Sequence, residues 1–311
     1  MVRMNRPTLL ASPAAGQDRS RLARLPRWVR VLAGGALLWG LAAAVLLATG
    51  DRYVTGAVVL GTFVVPLAFC FKLVEGEDLP GTELQLLVRL FVFGGVLGFL
   101  ASAFLEHPLG SQPAVVFDGW VGLVEETSKL AALAFMTRNF VGRTPRSGFV
   151  LGGLVGFGFA AFESAGYAVA SAVGPGTDSH VLIDTVLTRA VTAPFTHGLW
   201  SAVAGAALFA SSRNGRFRPA PLALAALAGV AVLHAGWDLM PYLAAHLEYW
   251  STGTDAHLKA LYETGQAILC LPPLYVVYRL RRRPAPAADG EQESAPSGSL
   301  VSAGGIDRSA A

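Results

Sequence analysis

Ionisable side chains stand inside long apolar segments of this 311-residue chain, where charged groups are costly. Glu125, Glu126 and Lys129 interrupt an apolar run from about Ala114 to Phe135. A charged residue at the centre of a membrane helix costs roughly 2.5 to 3.5 kcal/mol, so these three cost on the order of 8 kcal/mol. Such groups are functional candidates by default, and the full set is Glu125, Glu126, Lys129, Glu163, Arg189, His197, His234 and Asp238.

These residue types fit the hydrolysis of an amide bond. That reaction needs a base that makes water nucleophilic, a group that stabilises the oxyanion and an acid for the leaving amine. Two adjacent carboxylates in a low-dielectric site do not both ionise easily. One of Glu125 and Glu126 is therefore expected to stay protonated while Lys129 keeps the other one charged, so that the pair provides a base and a possible acid.

The remaining polar groups allow two mechanisms. In the first, nitrogen and oxygen ligands hold Zn²⁺ or another divalent metal with an open water position, and Glu126 or Glu125 is the base. In the second there is no metal, Glu125 activates the water directly, and one of the two histidines, oriented by Asp238, donates to the oxyanion. The sequence lacks HExxH, the commoner zinc-protease signature. The candidate metal ligands are Glu163, His197, His234 and Asp238.

The composition indicates that these groups lie in a membrane. Hydrophobic residues make up 53% of the chain and charged residues only 14%, against about a quarter in soluble domains. Apolar runs of about 20 residues, the length that crosses a bilayer, recur about eight times. We therefore predict an all-α, multi-pass bundle in the cell membrane, surrounded by the lipid bilayer, with spans near residues 28–49, 53–74, 84–105, 114–136, 148–173, 181–210, 219–242 and 258–280.

Arginines in the connecting segments predict the orientation of the bundle. Cytoplasmic loops carry an excess of Lys and Arg, so both termini are expected in the cytoplasm. Residues 1–27 and 284–311 lack a core-forming pattern and are predicted to be disordered cytoplasmic tails on either side of a transmembrane domain, residues 28–283. The arginines on the cytoplasmic side lie in the first tail and at Arg138, Arg143, Arg146, Arg213, Arg216, Arg218, Arg279, Arg281, Arg282 and Arg283.

Helix geometry predicts that the ionisable groups share one layer. At a rise of 1.5 Å per residue, Glu125, Glu163 and His234 lie about 8 to 11 residues from the external ends of their helices, and His197 about 10 to 16. This layer is slightly outward of the bilayer centre. The i, i+4 spacing also puts His234 and Asp238 on one helix face.

Small residues lead to this layer. Gly148, Gly152, Gly156 and Ala160 form a small-xxx-small stripe on the face that leads to Glu163. Such stripes let membrane helices approach each other closely, so a second helix is expected to pack here.

Three motifs resemble a known protein family. Glu125-Glu126-Thr-Ser-Lys129 resembles the EExxK motif, Phe159-Ala-Ala-Phe-Glu163 the FxxxE motif and His234-Ala-Gly-Trp-Asp238 the HxxxD motif of the PrsW family of intramembrane proteases. Arg189 followed by Pro194-Phe-Thr-His197-Gly-Leu-Trp200 is similar to a further histidine segment of that family. The wider superfamily includes the prenyl-protein CAAX endopeptidases, which have Arg and His where this chain has Lys129 and Glu163.

The resemblance covers residues 115–240 and implies a function. It implies a membrane-embedded endopeptidase that cleaves a membrane-anchored protein, often an anti-sigma factor, at its extracytoplasmic side; no nucleic-acid partner is expected. By analogy with the related endopeptidases, Glu125 is the base and Glu126 assists it or donates a proton. The resemblance assigns catalysis to Glu125, Glu126, Lys129, Glu163, His197, His234 and Asp238.

Two alternatives from other classes have to be considered. Chains of Asp, Glu and His also mark proton- or ion-coupled transporters. The sequence shows no internal repeat that relates one half to the other, and its ionisable groups occupy one layer rather than a path. A buried ion network that only fixes helix register is the second alternative.

Overall fold

The computed structural model describes residues 25–75, 77, 84–173, 178–192, 194–251 and 255–282. In these ranges the chain is helical, without a β-strand; an isolated bridge joins Arg213 and Arg216. The all-α prediction is therefore confirmed. The predicted tails, 1–27 and 284–311, lie outside the described residues apart from residues 25–27.

The helices follow one another through short connections. A 3₁₀ turn, Gly61–Phe63, joins α2 to α3, and a π-helical turn, Leu90–Gly94, joins α4 to α5. The helices are α1 (Arg27–Thr49), α2 (Arg52–Leu60), α3 (Val64–Val74), α4 (Leu84–Arg89), α5 (Gly95–Glu106), α6 (Ala114–Met136), α7 (Pro145–Val173), α8 (Ser179–Thr192), α9 (His197–Ala210), α10 (Pro221–Ser251) and α11 (Asp255–Arg282).

Five helical segments are long and apolar enough to cross a membrane, as judged by length and composition among the described residues. They are Arg27–Thr49, Val54–Val74, Leu84–Leu109, Pro145–Val173 and Pro221–Leu247. Each corresponds to a predicted span, which supports a polytopic bundle.

The other three predicted spans do not meet this criterion. Helix α6 has the predicted bounds, 114–136, but carries the charged residues discussed above. The segment 181–210 is not one continuous helix, because α8 ends at Thr192 and α9 begins at His197. Helix α11 is long enough but less apolar. The full number of eight spans therefore stays a prediction.

Helix α7 lies at the centre of the bundle and packs most extensively against α9. A Cβ atom at Gly148, Gly152 or Gly156 would collide with backbone oxygens of α9. These glycines therefore let the two helix backbones touch, as the small-xxx-small stripe predicts. Gly122 has the same role on α6, where a Cβ would meet the backbone of α10 at Ala231 and Ala235. The close contacts bring α6, α7, α9 and α10 together around one buried point.

Candidate active site

Lys129 connects three of the buried polar side chains. Its Nζ lies 3.0 Å from Glu125 Oε2 and 2.8 Å from Glu126 Oε1, one helical turn away on α6. It also lies 2.8 Å from Nδ1 of His197 and 4.0 Å from the centroid of the Phe159 ring. Only 1% of the Lys129 side chain is exposed. One buried ammonium thus compensates two buried carboxylates, which explains how α6 tolerates three charges.

His234 on α10 is oriented by Glu126. Its Nδ1 lies 3.0 Å from Glu126 Oε1, so the ring N–H donates to that carboxylate. Its Nε2 faces the other way, 3.7 Å from Glu125 Oε2 and 3.4 Å from Asp238 Oδ2. The carboxylate of Glu126 therefore fixes the ring, and Nε2 remains directed at Glu125.

His197 is oriented by a second carboxylate. It is the first residue of α9, directly after the turn at residues 194–196. Its Nε2 lies 3.1 Å from Glu163 Oε2, on α7. Its Nδ1 lies 3.7 Å from Glu125 Oε2. The two histidines thus have the same arrangement, in which one ring nitrogen contacts a supporting carboxylate and the other faces Glu125.

Glu125 and the two histidines together make up a set of side chains that could bind a metal. Glu125, His197 and His234 each offer one ligand atom within 4.8 Å of the others, and all three residues are buried. Two imidazoles and a carboxylate are an ordinary donor set for zinc. Histidines that bind metals usually donate their second ring N–H to a carboxylate or carbonyl, as these two do.

Arg189 on α8 holds Glu163 in place. Its Nη2 pairs with Glu163 Oε2 and its Nε donates to Ser164 Oγ at 2.8 Å. The guanidinium also lies 4.4 Å from the centroid of the Tyr167 ring. Through Glu163, Arg189 is connected to the ring of His197.

The charges of this network do not balance. Lys129 and Arg189 are its two permanent cations, against the carboxylates of Glu125, Glu126, Glu163 and Asp238. With neutral histidines and ionised carboxylates there is an excess of two negative charges. Uncompensated charge is expensive in a low-dielectric interior, so the network favours a divalent cation or added protons.

Aromatic side chains enclose the histidines. The Trp200 side chain is fully buried, and its ring centroid lies 5.0 Å from that of His234 and 6.0 Å from that of His197. The Phe159 centroid lies 5.4 Å from that of His197. Trp200 ends the histidine segment of the sequence but was given no role there, although its position three residues after His197 puts both on one helix face. These rings exclude water from one side of the site.

All seven predicted site residues belong to one connected network, but their positions differ in detail from the prediction. Glu163 was expected to be a metal ligand, whereas its carboxylate contacts Arg189 and His197. Glu126 contacts Lys129 and His234, and Glu125 is the carboxylate between the two histidines. The contacts of Ser164 and Tyr167 with Arg189 were not predicted, although the two residues follow Glu163 at one and four residues.

Comparison with known protein families identifies the chain. The model for the PrsW family intramembrane metalloproteases matches residues 82–262. The chain belongs to this family. The match covers more than half of the chain, including the motif region 115–240. No curated protein and no solved structure matches the chain.

Membership of the PrsW family establishes the general function. The protein is an intramembrane peptidase, and its substrates are membrane proteins in a lipid bilayer. A transporter is not favoured. The family description also names a metalloprotease, which agrees with the buried Glu125, His197 and His234 group.

Proposed function

We propose that this protein is an endopeptidase that uses Glu125 to activate a water molecule for attack on a peptide bond of a membrane-anchored protein. The observation that carries the proposal is the position of Glu125 Oε2, 3.7 Å from Nδ1 of His197 and 3.7 Å from Nε2 of His234. Glu125 is thus placed beside both nitrogens that could bind a metal. A base in this position can take the proton of a water held between them.

The two other glutamates support the histidines rather than react. Glu126 is bonded to His234 and Lys129, and only 1% of its side chain is exposed. Glu163 is bonded to His197 and Arg189. Both carboxylates fix an imidazole in the tautomer that directs the free nitrogen at Glu125. We therefore assign positioning roles to Glu126 and Glu163.

The residues present fit a divalent metal, for which we propose Zn²⁺. Its ligands would be His197 and His234. Because Glu125, which completes the buried group with these two histidines, is assigned as the base, we propose the carboxylate of Asp238, 3.4 Å from His234 Nε2, as the third ligand. Asp238 Oδ2 is shielded from solvent and forms no hydrogen bond with the described residues, so it is available as a ligand. When bound, the metal would polarise the scissile carbonyl and make the attacking water more acidic.

Lys129 would lose its contact with His197 Nδ1 if a metal were bound. Its ammonium is 2.8 Å from His197 Nδ1, and a nitrogen that accepts this hydrogen bond cannot bind a metal at the same time. Lys129 retains Glu125 and Glu126 as partners, so it stays neutralised. Without a metal, the same ammonium would remain beside the histidine and stabilise developing negative charge.

The orientation of the site suggests where cleavage occurs. If the arginine-rich segments are cytoplasmic, the chain spans the cell membrane about eight times with both termini inside. The catalytic layer then lies outward of the bilayer centre. We propose that the substrate is cut near its extracytoplasmic membrane boundary, with anti-sigma factors as the candidate class that the family resemblance suggests.

Hydrolysis in proteoliposomes tests this proposal. Purified protein is reconstituted with a tethered, single-span substrate in water enriched in ¹⁸O, and the products are analysed by mass spectrometry. We expect a new carboxyl terminus that carries ¹⁸O, and its loss in Glu125→Gln. Glu263→Gln is the matched control, because Glu263 is exposed on α11 and pairs only with Lys259 among the described residues. Normal cleavage by Glu125→Gln would refute the assignment of the base.

A further inference from the structure

A second polar site lies at the C-terminal end of α6. The segment that follows α6, residues 137–144, faces the connection between α9 and α10, residues 211–220. Between them is a cleft of about 420 Å³, and none of the described residues that line it is acidic. The lining residues are Arg138, Asn139, Phe140, Val141, Arg143, Ser212 and Gly215.

Arg143 is held rigidly at the wall of this cleft. Its Nη2 donates to the backbone oxygens of Thr137 at 3.0 Å and of Arg138 at 2.6 Å, the two residues that follow α6. Its guanidinium lies 4.2 Å from the centroid of the Phe217 ring. Its Nε and Nη1 are shielded from solvent and have no hydrogen-bond partner among the described residues. Buried donors are nearly always paired, so the two unpaired donors of this guanidinium indicate a missing hydrogen-bond partner.

Two further arginines lie beside the cleft, next to its lining residues Ser212 and Gly215. A tight turn with positive φ at Asn214 and Gly215 brings Arg213 and Arg216 together through two backbone hydrogen bonds of 3.1 and 3.0 Å. These arginine side chains are exposed and form no ion pair within the described part of the chain. Arg146 differs, because it forms a bidentate pair with Glu77. Two arginines therefore line the cleft and two more lie beside it, and none of its described lining residues is acidic.

We propose that this cleft binds the anionic phosphate group of a ligand. Guanidinium groups form strong, paired hydrogen bonds with phosphate, and the amide of Asn139 can supply a neutral donor. Val141 is 95% exposed at the rim and gives the site an apolar edge. The arginine distribution predicts that this end of the bundle faces the cytoplasm, where anionic phospholipids are abundant. A phospholipid headgroup and free phosphate share this chemistry.

A binding experiment with the full-length protein in neutral detergent tests the proposal and separates the two sources. Short-chain phosphatidylglycerol, short-chain phosphatidylcholine and inorganic phosphate are titrated at constant ionic strength, and affinity is measured by the shift in thermal unfolding.

The variant Arg143→Gln removes the central cation, but it also removes the hydrogen bonds of Arg143 to the backbone just after α6. The double variant Arg138→Gln/Asn139→Leu leaves the bonds of Arg143 in place and removes only the bond from Arg138 Nη1 to the backbone oxygen of Phe135. Arg218→Gln is the matched control, because it removes an exposed arginine of the same surface that does not line the cleft.

We expect phosphatidylglycerol to stabilise the wild-type protein and phosphatidylcholine to have little effect. Binding should weaken about tenfold or more in both cleft variants and stay unchanged in Arg218→Gln. Equal binding of inorganic phosphate and phosphatidylglycerol would identify free phosphate as the ligand, whereas tighter binding of the lipid would identify a headgroup. Equal weakening by Arg218→Gln, equal binding of phosphatidylcholine, or no binding of any probe would overturn the proposal.

Discussion

The Nδ1 atom of His234 lies 3.0 Å from Oε1 of Glu126, across the interface between α10 and α6. This contact gives the two adjacent glutamates of α6 different surroundings. Glu126 contacts Nδ1 of the imidazole ring, whereas Glu125 faces its Nε2 atom. Adjacent residues on a helix point about 100° apart, so a pair of neighbours can serve the two sides of one ring.

The first prediction separates the roles of these glutamates. Glu126→Gln should lower turnover by roughly 10- to 100-fold and weaken metal binding, because the support of His234 is lost. Glu125→Gln should lower turnover by about 10²- to 10⁴-fold while metal binding is retained, because only the base is removed. Turnover and bound metal are measured on the same preparations. Loss of metal in Glu125→Gln with full retention in Glu126→Gln would reverse the two roles.

The second prediction concerns the stability of the buried charges. Lys129→Ala leaves Glu125 and Glu126 without their shared cation, which should cost about 3 to 5 kcal/mol and reduce folded yield as well as rate. Lys259→Ala removes an exposed lysine from a surface pair with Glu263 and should change stability by less than about 1 kcal/mol. Thermal unfolding in detergent compares the two. A Lys129→Ala protein as stable as the wild type would show that the carboxylates do not need this ammonium.

The third prediction concerns Arg189, which does not contact either active-site nitrogen directed at Glu125. Because it holds Glu163 against His197, Arg189→Ala should reduce kcat by roughly 10-fold or more and leave KM nearly unchanged. Arg189→Lys keeps the charge and should restore part of the rate. If KM rises and kcat is unchanged, Arg189 acts on substrate binding instead.

The fourth prediction tests the close packing of α7 on α9. A Cβ at Gly156 would collide with the backbone oxygen of His197, so Gly156→Ala should displace the start of α9. Overpacking of this kind costs about 1 to 3 kcal/mol, and turnover should fall with the displacement of His197. Gly166→Ala is the control on the same helix, because its Cβ would come no closer than 3.9 Å to another side chain. Equal effects of the two substitutions would indicate a loss of helix flexibility rather than a clash.

The sequence was most informative where ionisable residues interrupt apolar runs. The positions of Glu125, Glu163 and His234 in different apolar runs predicted one shared layer, because each is about equally far from the end of its helix. The glycines of α7 likewise predicted the close contact with a second helix. Both inferences depend only on chain position and residue size, which the sequence contains directly.

The partners of the individual carboxylates could not be predicted in the same way. Glu163 was expected to be a metal ligand, but which atom its carboxylate contacts depends on side-chain rotamers and on the placement of Arg189. The break between α8 and α9 was missed, although Pro194 lies there and proline disfavours a continuous helix. That break makes His197 the first residue of α9. The contacts of the individual carboxylates follow from tertiary packing rather than from sequence spacing.

Metal analysis tests the central claim most directly. Protein purified without chelator is analysed for zinc and other divalent metals, with His197→Ala, His234→Ala and Glu125→Gln prepared in parallel. The account predicts stoichiometric metal in the wild type and in Glu125→Gln, its loss in both histidine variants, and loss of turnover when a strong chelator removes it. Full turnover of metal-free wild-type protein in a strong chelator would contradict the metal-dependent mechanism.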